Sequence, residues 1–364
     1  MRIAIDASRT TVARRTGTEN YALQLIRALL KANAGRANHA ITLYFRDQPP
    51  TGLFEESAAV TERVIPIPRL WTHVGFAAAL WADRPDVTFV PAHTLPYLFP
   101  GRGVVTIHDL GYRFFPTAHP PSELRYLDAT TRYSARRAAR ILADSRATQR
   151  DLTEQYGVDP AKIRVVYPGV EGLQRADQAH IAAVRRKYGI PGDYLLFLGT
   201  LQPRKNLGRL IDAFLSCNLT GFSLVLAGKR GWLFEEAIPA LRLDQRSRVI
   251  IPGYVADDDI AALYSGATAF TFPSLYEGFG FPVLEAMRCG TPVLCSTTSS
   301  LPELAGDAAL LVDPLDQDAI AAGIARLVSH PALRADLVTR GYQQTQRFTW
   351  ARAAQETLEA LTVL

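Results

Sequence analysis

Residues 267–292 read ATAFTFPSLYEGFGFPVLEAMRCGTP, and how this stretch folds decides how the rest of the chain is read. The apolar run Ala267–Phe272 has the length and β-rich composition of a buried strand, and it stops at Pro273. A glycine-containing turn follows. Pro282 then opens a short helix, since its missing N–H would have had no intrahelical partner anyway, and the first turn of that helix already holds Glu285. The amides of Val283 and Leu284, with those of the turn Phe279–Gly280–Phe281, are expected to form an anion site. Gly278 and Gly280 allow a ligand close to the backbone. Glu277 and Glu285 stand eight positions apart, one in the loop and one on the helix. Amides for a diphosphate and carboxylates for hydroxyls together suit a sugar nucleotide.

Outward from this segment, short apolar strands alternate with helical stretches from end to end. Arg2–Asp6, Ala40–Phe45, Arg63–Pro68, Val87–Pro91, Val104–Asp109, Arg140–Ser145 and Arg164–Tyr167 read as strands of a first half. Tyr194–Gly199, Ser223–Gly228, Arg248–Gly253, Ala267–Pro273, Pro292–Ser296 and Ala309–Val312 read as strands of a second. Such alternation means parallel sheets covered by helices. The break near Val170–Pro191 therefore separates two Rossmann-like domains, 1–172 and 173–347, with that segment as linker. In open α/β sheets, ligands bind at the carboxyl ends of the strands, so an active-site cleft between the two domains is expected.

The pair Glu277 and Glu285, with Gly-Phe-Gly-Phe-Pro between them and a strand before them, resembles the glutamate–seven residues–glutamate motif of retaining glycosyltransferases of family 4, which have the GT-B fold. The resemblance implies that Glu277 binds the transferred sugar and Glu285 the ribose of the nucleotide. It implies a role for Arg204 and Lys205, which emerge after Gly199 at a strand end, in neutralising the diphosphate leaving group. Arginine grips phosphate in bidentate fashion and lysine as a compact charge. Thr200 stands where some relatives carry one more arginine. His108 matches a family histidine that contacts the donor sugar near its reacting carbon, with Asp109 beside it to orient the ring or cap the next turn. Gly17, in Thr16-Gly17-Thr18, matches the glycine of the first βα loop. Lys229, in Gly228–Trp232, follows a strand and is read either as a contact to the phosphates or base or as a solvated loop residue, and the segment Ser299–Glu303 resembles a family segment that borders the nucleotide site. The final helix, near Trp350–Leu364, is expected to return to the N-terminal domain, as residues 348–364. That N-terminal domain would bind the acceptor, and the C-terminal one the donor.

Composition sets the outer bounds. A chain of 364 residues is too long for one ordinary core. With 48% hydrophobic and 21% charged residues it has the balance of a soluble globular protein. Val74–Ala82, a prominent apolar run, is far shorter than the ~20 residues a spanning helix needs. No leader is visible, and Cys217, Cys289 and Cys295 lack paired or metal-ligand spacing, so a reducing, cytoplasmic setting is expected. The net charge of +5 is modest, but seven arginines fall between Arg125 and Arg150. Arg125, Arg132 and Arg136 have helical spacing, so peripheral contact with an anionic membrane is a second expectation. Nucleic acid is not expected, for want of an aromatic platform. Asp257-Asp258-Asp259 precedes a helix and reads as capping rather than metal binding, and no metal or other cofactor is expected.

The expected reaction is retaining transfer of a hexose, first mannose from GDP-mannose, to a saccharide or lipid-linked acceptor in surface-polysaccharide synthesis. The whole chain looks most like bacterial mannosyltransferases of that process. A UDP-hexose donor is the alternative, and a non-catalytic sugar-nucleotide-binding subunit is another. A glycoside hydrolase would need carboxylates about 5–5.5 or 6.5–9.5 Å apart, which a loop-to-helix separation disfavours.

Overall fold

The computed structural model describes residues 1–12, 17–36, 39–231, 233–238, 245 and 247–363. Thr16 and Trp232 lie outside the described residues. The chain divides into two compact units. One comprises Met1–Arg113, Pro120–Gly169 and Phe348–Leu364; the other comprises Val170–Arg347 together with Phe114–His119.

The first unit is built on seven parallel strands in the order β3-β2-β1-β4-β5-β6-β7. They are β1 Arg2–Asp6, β2 Ala40–Phe45, β3 Val60–Val64, β4 Val87–Val90, β5 Arg102–Ile107, β6 Arg140–Ala143 and β7 Ile163–Val165. Central strands such as β4 are buried at every residue, as the unbroken apolar runs require when helices cover both faces of a parallel sheet. β3 departs from expectation. It begins at Val60 rather than Arg63 and ends at Val64, with Ile41 to Phe45 of β2 paired to Val60 through Val64. Pro66 and Pro68 cannot donate to a ladder, so the strand ends ahead of them. Its polar residues are tolerated because it is an edge. The last helix, Trp350–Thr362, starts at Thr349, whose hydroxyl accepts from Arg352 N at 3.2 Å. It packs against the helix Gly17–Arg36 and is pinned at its far end by Arg164 and Glu359, 2.6 Å apart.

The second unit carries six parallel strands in the order β10-β9-β8-β11-β12-β13: β8 Asp193–Leu198, β9 Phe222–Ala227, β10 Val249–Gly253, β11 Ala269–Phe272, β12 Val293–Ser296 and β13 Ala309–Val312. Both sheets reverse their winding once, between β1 and β4 and between β8 and β11. Such a switch point opens a crevice at the strands' carboxyl ends. The expected linker holds a helix, Gln178–Lys187, that is an integral part of this unit. It packs on the helix Asp257–Gly266, and Lys187 Nζ and Tyr188 Oη both reach Asp259 Oδ2, at 2.5 and 2.7 Å. The three aspartates do not cap that helix. Ala256 occupies the cap position, and Asp257–Asp259 form the first turn, where acids favour the helix dipole.

Candidate active site

In the second unit, the loops leaving β8 and β11 meet at the switch point. The turn Pro203–Lys205 closes at Asn206, whose φ of 61° is left-handed, a conformation asparagine tolerates better than most residues. The Asn206 amide donates to the Pro273 and Pro314 carbonyls at 3.0 and 2.6 Å, and Leu275 N donates to Arg204 O at 2.9 Å. These bonds bring Arg204 and Lys205 onto Glu277. Lys205 Nζ lies 2.5 Å from Glu277 Oε1 and Arg204 Nη1 lies 3.0 Å from Oε2. Ser274 Oγ adds a third donor, 2.6 Å from Oε1. Lys205 and Glu277 are each only 7% exposed, and the ammonium also sits 4.8 Å from the centre of the Phe272 ring. Burial alone would raise the Glu277 carboxyl, but the charges of Arg204 and then Lys205 outweigh it and hold the group down at about 2. Two cations thus share one buried carboxylate.

A run of hydroxyls, Ser296–Ser300, grips the same loop from the other side. Ser296 Oγ donates to Ser274 O at 2.6 Å and Thr298 Oγ1 to Leu275 O at 3.2 Å. Ser299 Oγ accepts from Glu277 N at 2.9 Å. Ser300 Oγ donates to Glu277 O at 2.9 Å and also to Phe279 O. Sequence reasoning missed this brace, although five successive hydroxyl residues after a buried strand were a readable signal.

The helix that follows is Phe281–Arg288, and it corrects the expectation in three ways. Pro282 is its second residue rather than its first, and Glu285 falls in the second turn. The amide of Val283 is not free for an anion: it donates to Gly280 O at 3.0 Å. Val283 and Leu284 point their side chains into the core. Gly280, at φ 127°, holds a backbone conformation that other residues rarely adopt, and a Cβ there would also push Leu301 Cδ2, 2.8 Å away, aside. Phe279 and Phe281 meet edge to face at 4.9 Å. Glu285 keeps part of its surface exposed, and its carboxylate accepts a bond from Tyr264 Oη at 3.1 Å. Burial pushes this carboxyl up to about 7, with the tyrosine opposing.

The strands β8 and β9 stay joined beyond their ends. Gly199 N donates to Ala227 O at 3.0 Å, and Leu201 N to Lys229 O at 2.9 Å. Gly228 is required for this approach, since a Cβ on it would stand 1.9 Å from the Gly199 carbonyl oxygen. The Lys229 side chain is exposed at the rim.

In the first unit, His108 follows β5 and Asp144 follows β6. The register pairs Ile107 with Ala143, so the next residues on each strand are neighbours, and His108 Nδ1 lies 2.6 Å from Asp144 Oδ2. Burial lowers the His108 pKa, but Asp144 more than offsets it and leaves the imidazole raised. Asp109 does not orient the ring. It caps the turn instead, its Oδ1 accepting from Gly111 N at 2.7 Å. Gly17 is the first residue of its helix, and a Cβ there would meet nothing within 4 Å. Of the basic stretch, Arg125, Arg132, Arg136, Arg146 and Arg150 are exposed. Arg137 is used locally, donating to Phe99 O at 3.0 Å with its guanidinium 4.2 Å from the Phe99 ring centre. Among the described residues no helix is long and apolar enough to cross a membrane, and no group of three or more His, Cys, Asp and Glu residues could hold a metal.

Comparison with known proteins gives this arrangement its class. The model of glycosyltransferase family 4 matches residues 15–171, and that of glycosyl transferases group 1 matches residues 181–344. The O-antigen chain mannosyltransferase B of Escherichia coli is 33% identical over 296 residues, 78% of this chain and 77% of that protein. The serotype-specific mannosyltransferase WbdA of the same species is 36% identical over 192 residues, 50% of this chain and 23% of WbdA. The crystal structure of Anabaena HepE with UDP and glucose superposes with a TM-score of 0.75 over 100% of both chains at 20% identity. The chain therefore belongs to the family-4 glycosyltransferases, and its two parallel-sheet units are those of the GT-B fold.

Proposed function

We propose that this glycosyltransferase moves mannose from GDP-mannose to a hydroxyl of a saccharide or lipid-linked acceptor in surface-polysaccharide synthesis, with retention at the anomeric carbon and without a metal. The bond from the anomeric carbon to the diphosphate oxygen breaks as the bond to the acceptor oxygen forms on the same face. The acceptor proton passes to the leaving phosphate oxygen. In this reading the second unit takes the donor and the first the acceptor. Arg204 and Lys205 stabilise charge growing on the diphosphate, Glu277 holds sugar hydroxyls, Glu285 the ribose, and His108 the transferred sugar.

The observation that carries the reading is the cluster of Glu277 with Arg204 and Lys205 at the β8–β11 switch point. It supplies two cationic groups preorganised beside a carboxylate. The names of the Escherichia coli relatives favour mannose. A thermal-shift panel of GDP-, UDP- and dTDP-sugars tests the donor, since a bound donor stabilises the fold. Stabilisation by GDP-mannose alone is the expected result, and stabilisation only by a UDP-hexose would replace it. Product NMR with and without EDTA tests the rest. A β-linked product from the α-configured donor, or activity restored only by Mn²⁺, would refute retention or metal independence.

The exposed Arg125, Arg132 and Arg136 support peripheral contact with anionic lipid. Co-sedimentation with vesicles that is indifferent to anionic lipid content would remove that part.

A further inference from the structure

His108 is held by more than one neighbour, and the side chains among them leave Nε2 uncommitted. Its peptide N–H donates to His93 Nε2 at 3.2 Å, and its carbonyl accepts from Thr148 Oγ1 at 3.0 Å. The Tyr21 ring packs edge-on against the imidazole at 4.7 Å, backed by Trp350 at 5.9 Å. Tyr21 is itself fastened by its hydroxyl to Thr106 at 3.2 Å. Among the described residues, the one side-chain partner of the ring is Asp144 at Nδ1; the Pro91 carbonyl is the backbone group that acts on the ring, and buried Nε2 makes no hydrogen bond of normal geometry.

Asp144 is as singular as the ring it touches. It is 3% exposed, Oδ2 meets His108, and Oδ1 is buried without a partner. A buried carboxylate is ordinarily surrounded by donors, so one devoted to a single ring nitrogen is poorly explained as a structural brace. We propose that Asp144 is a positioning residue for sugar transfer: it takes up Nδ1–H of His108, fixes the ring's orientation and tautomer, and leaves Nε2 to meet a hydroxyl of the donor sugar. This rests on the reading in which His108 contacts that sugar. The other titratable groups facing the pair are Asp109, His93 and Tyr21, with Arg9 acting on His93. His93 is kept neutral by burial and by His108, its pKa pushed down to about 3, so it does not compete for the proton.

The test uses the full chain labelled with ¹⁵N, in which the ring of His108 is assigned among seven histidines with His108→Gln. In the unmodified protein the neutral ring is expected to carry its proton on Nδ1. A ring protonated on Nε2, with Nδ1 bare, would overturn the proposal without recourse to any variant. Asp144→Asn is expected to lower the His108 titration midpoint and to mix the tautomers. It is also expected to lower kcat about 10–100-fold while changing the donor KM by less than about threefold. In the His108→Gln background the same substitution should cost nothing further, because it acts through the ring. An unchanged kcat, or an equal loss in both backgrounds, would overturn the role of Asp144. Full activity of His108→Gln would instead remove His108 from the proposed function, and Asp144 with it.

Discussion

The loop Ser274–Gly280 and the helix Phe281–Arg288 each carry one glutamate, eight residues apart, and the structure treats the two in opposite ways. Glu277 is sealed among Arg204, Lys205 and Ser274 and stays ionised down to about pH 2. Glu285 has burial and a single tyrosine, and its carboxyl is poised near 7. Burial acts upward on both; the difference is that only the first has cations. Environments that push two like carboxyls apart assign them different work. One is a permanent charge that organises two cations. The other can change state near neutral pH, as a group that exchanges hydrogen bonds with a ligand hydroxyl can use.

The strongest way to break this contrast is to remove the sealed carboxylate. Glu277→Ala takes from buried Lys205 the carboxylate it pairs with, and losing one member of a buried pair costs about 3–5 kcal/mol. The urea midpoint should fall accordingly, with sugar transfer abolished, and a loss below about 1 kcal/mol would show that the cluster is not sealed. The sign with pH follows from the depressed folded pKa. The stabilisation is present above the ordinary value of 4.5 and is lost as pH falls toward 2. The variant should therefore unfold with a flatter dependence on pH in that window.

Ser300→Ala is the next test in size. It withdraws a buried donor from the carbonyls of Glu277 and Phe279 and should cost about 1–3 kcal/mol. Because the loop would loosen with its cations still paired, we expect a raised donor KM to accompany the loss of stability. An unchanged KM would separate the brace from the site.

How far the site was legible depends on the range of the interactions. Strand periodicity located every strand of both sheets, with the edge strand β3 displaced, because burial patterns are local. The glutamates, Arg204 and Lys205 stood out because strand, glycine loop and helix occur in a fixed order around them. What stayed hidden is long-range. Nothing near Glu277 shows that Lys205, 72 residues away, spends its charge on it. Nothing near His108 names Asp144, whose adjacency arises from the register of β5 on β6. Of the two roles open to Asp109, the local one holds, since it caps a turn; the expectation failed at Val283, whose amide the tight turn at Gly280 consumes.

Glu285→Gln sharpens the other half of the comparison. Since its folded pKa is raised, the ionised form is the disfavoured one, and stability should decline as pH rises from 4.5 to about 7. A ribose hydroxyl donating to the carboxylate favours ionisation, so donor affinity should strengthen as pH rises through about 7, by up to about tenfold between pH 6 and 8. Calorimetric titration with GDP at several pH values reads this directly. The glutamine variant should bind with a flat profile, and a wild-type profile that is equally flat would remove Glu285 from the ribose.

The smallest effect probes how the sealed loop is braced at its amide. Ser299 combines a left-handed φ of 54° with the hydroxyl that accepts from Glu277 N. A side chain in that conformation costs about 1–2 kcal/mol that glycine escapes, whereas the hydrogen bond contributes about 1 kcal/mol. Ser299→Ala loses the bond and keeps the strain, so it should be destabilised by about 1 kcal/mol. Ser299→Gly loses the bond and sheds the strain, so its thermal midpoint should lie close to that of the parent. The parent serine is therefore expected to be worth its backbone cost only through the position it gives Glu277. Equal midpoints for the two variants would mean that no strain is held there. A glycine variant with parental stability and parental donor KM would mean that the hydroxyl does not position the loop.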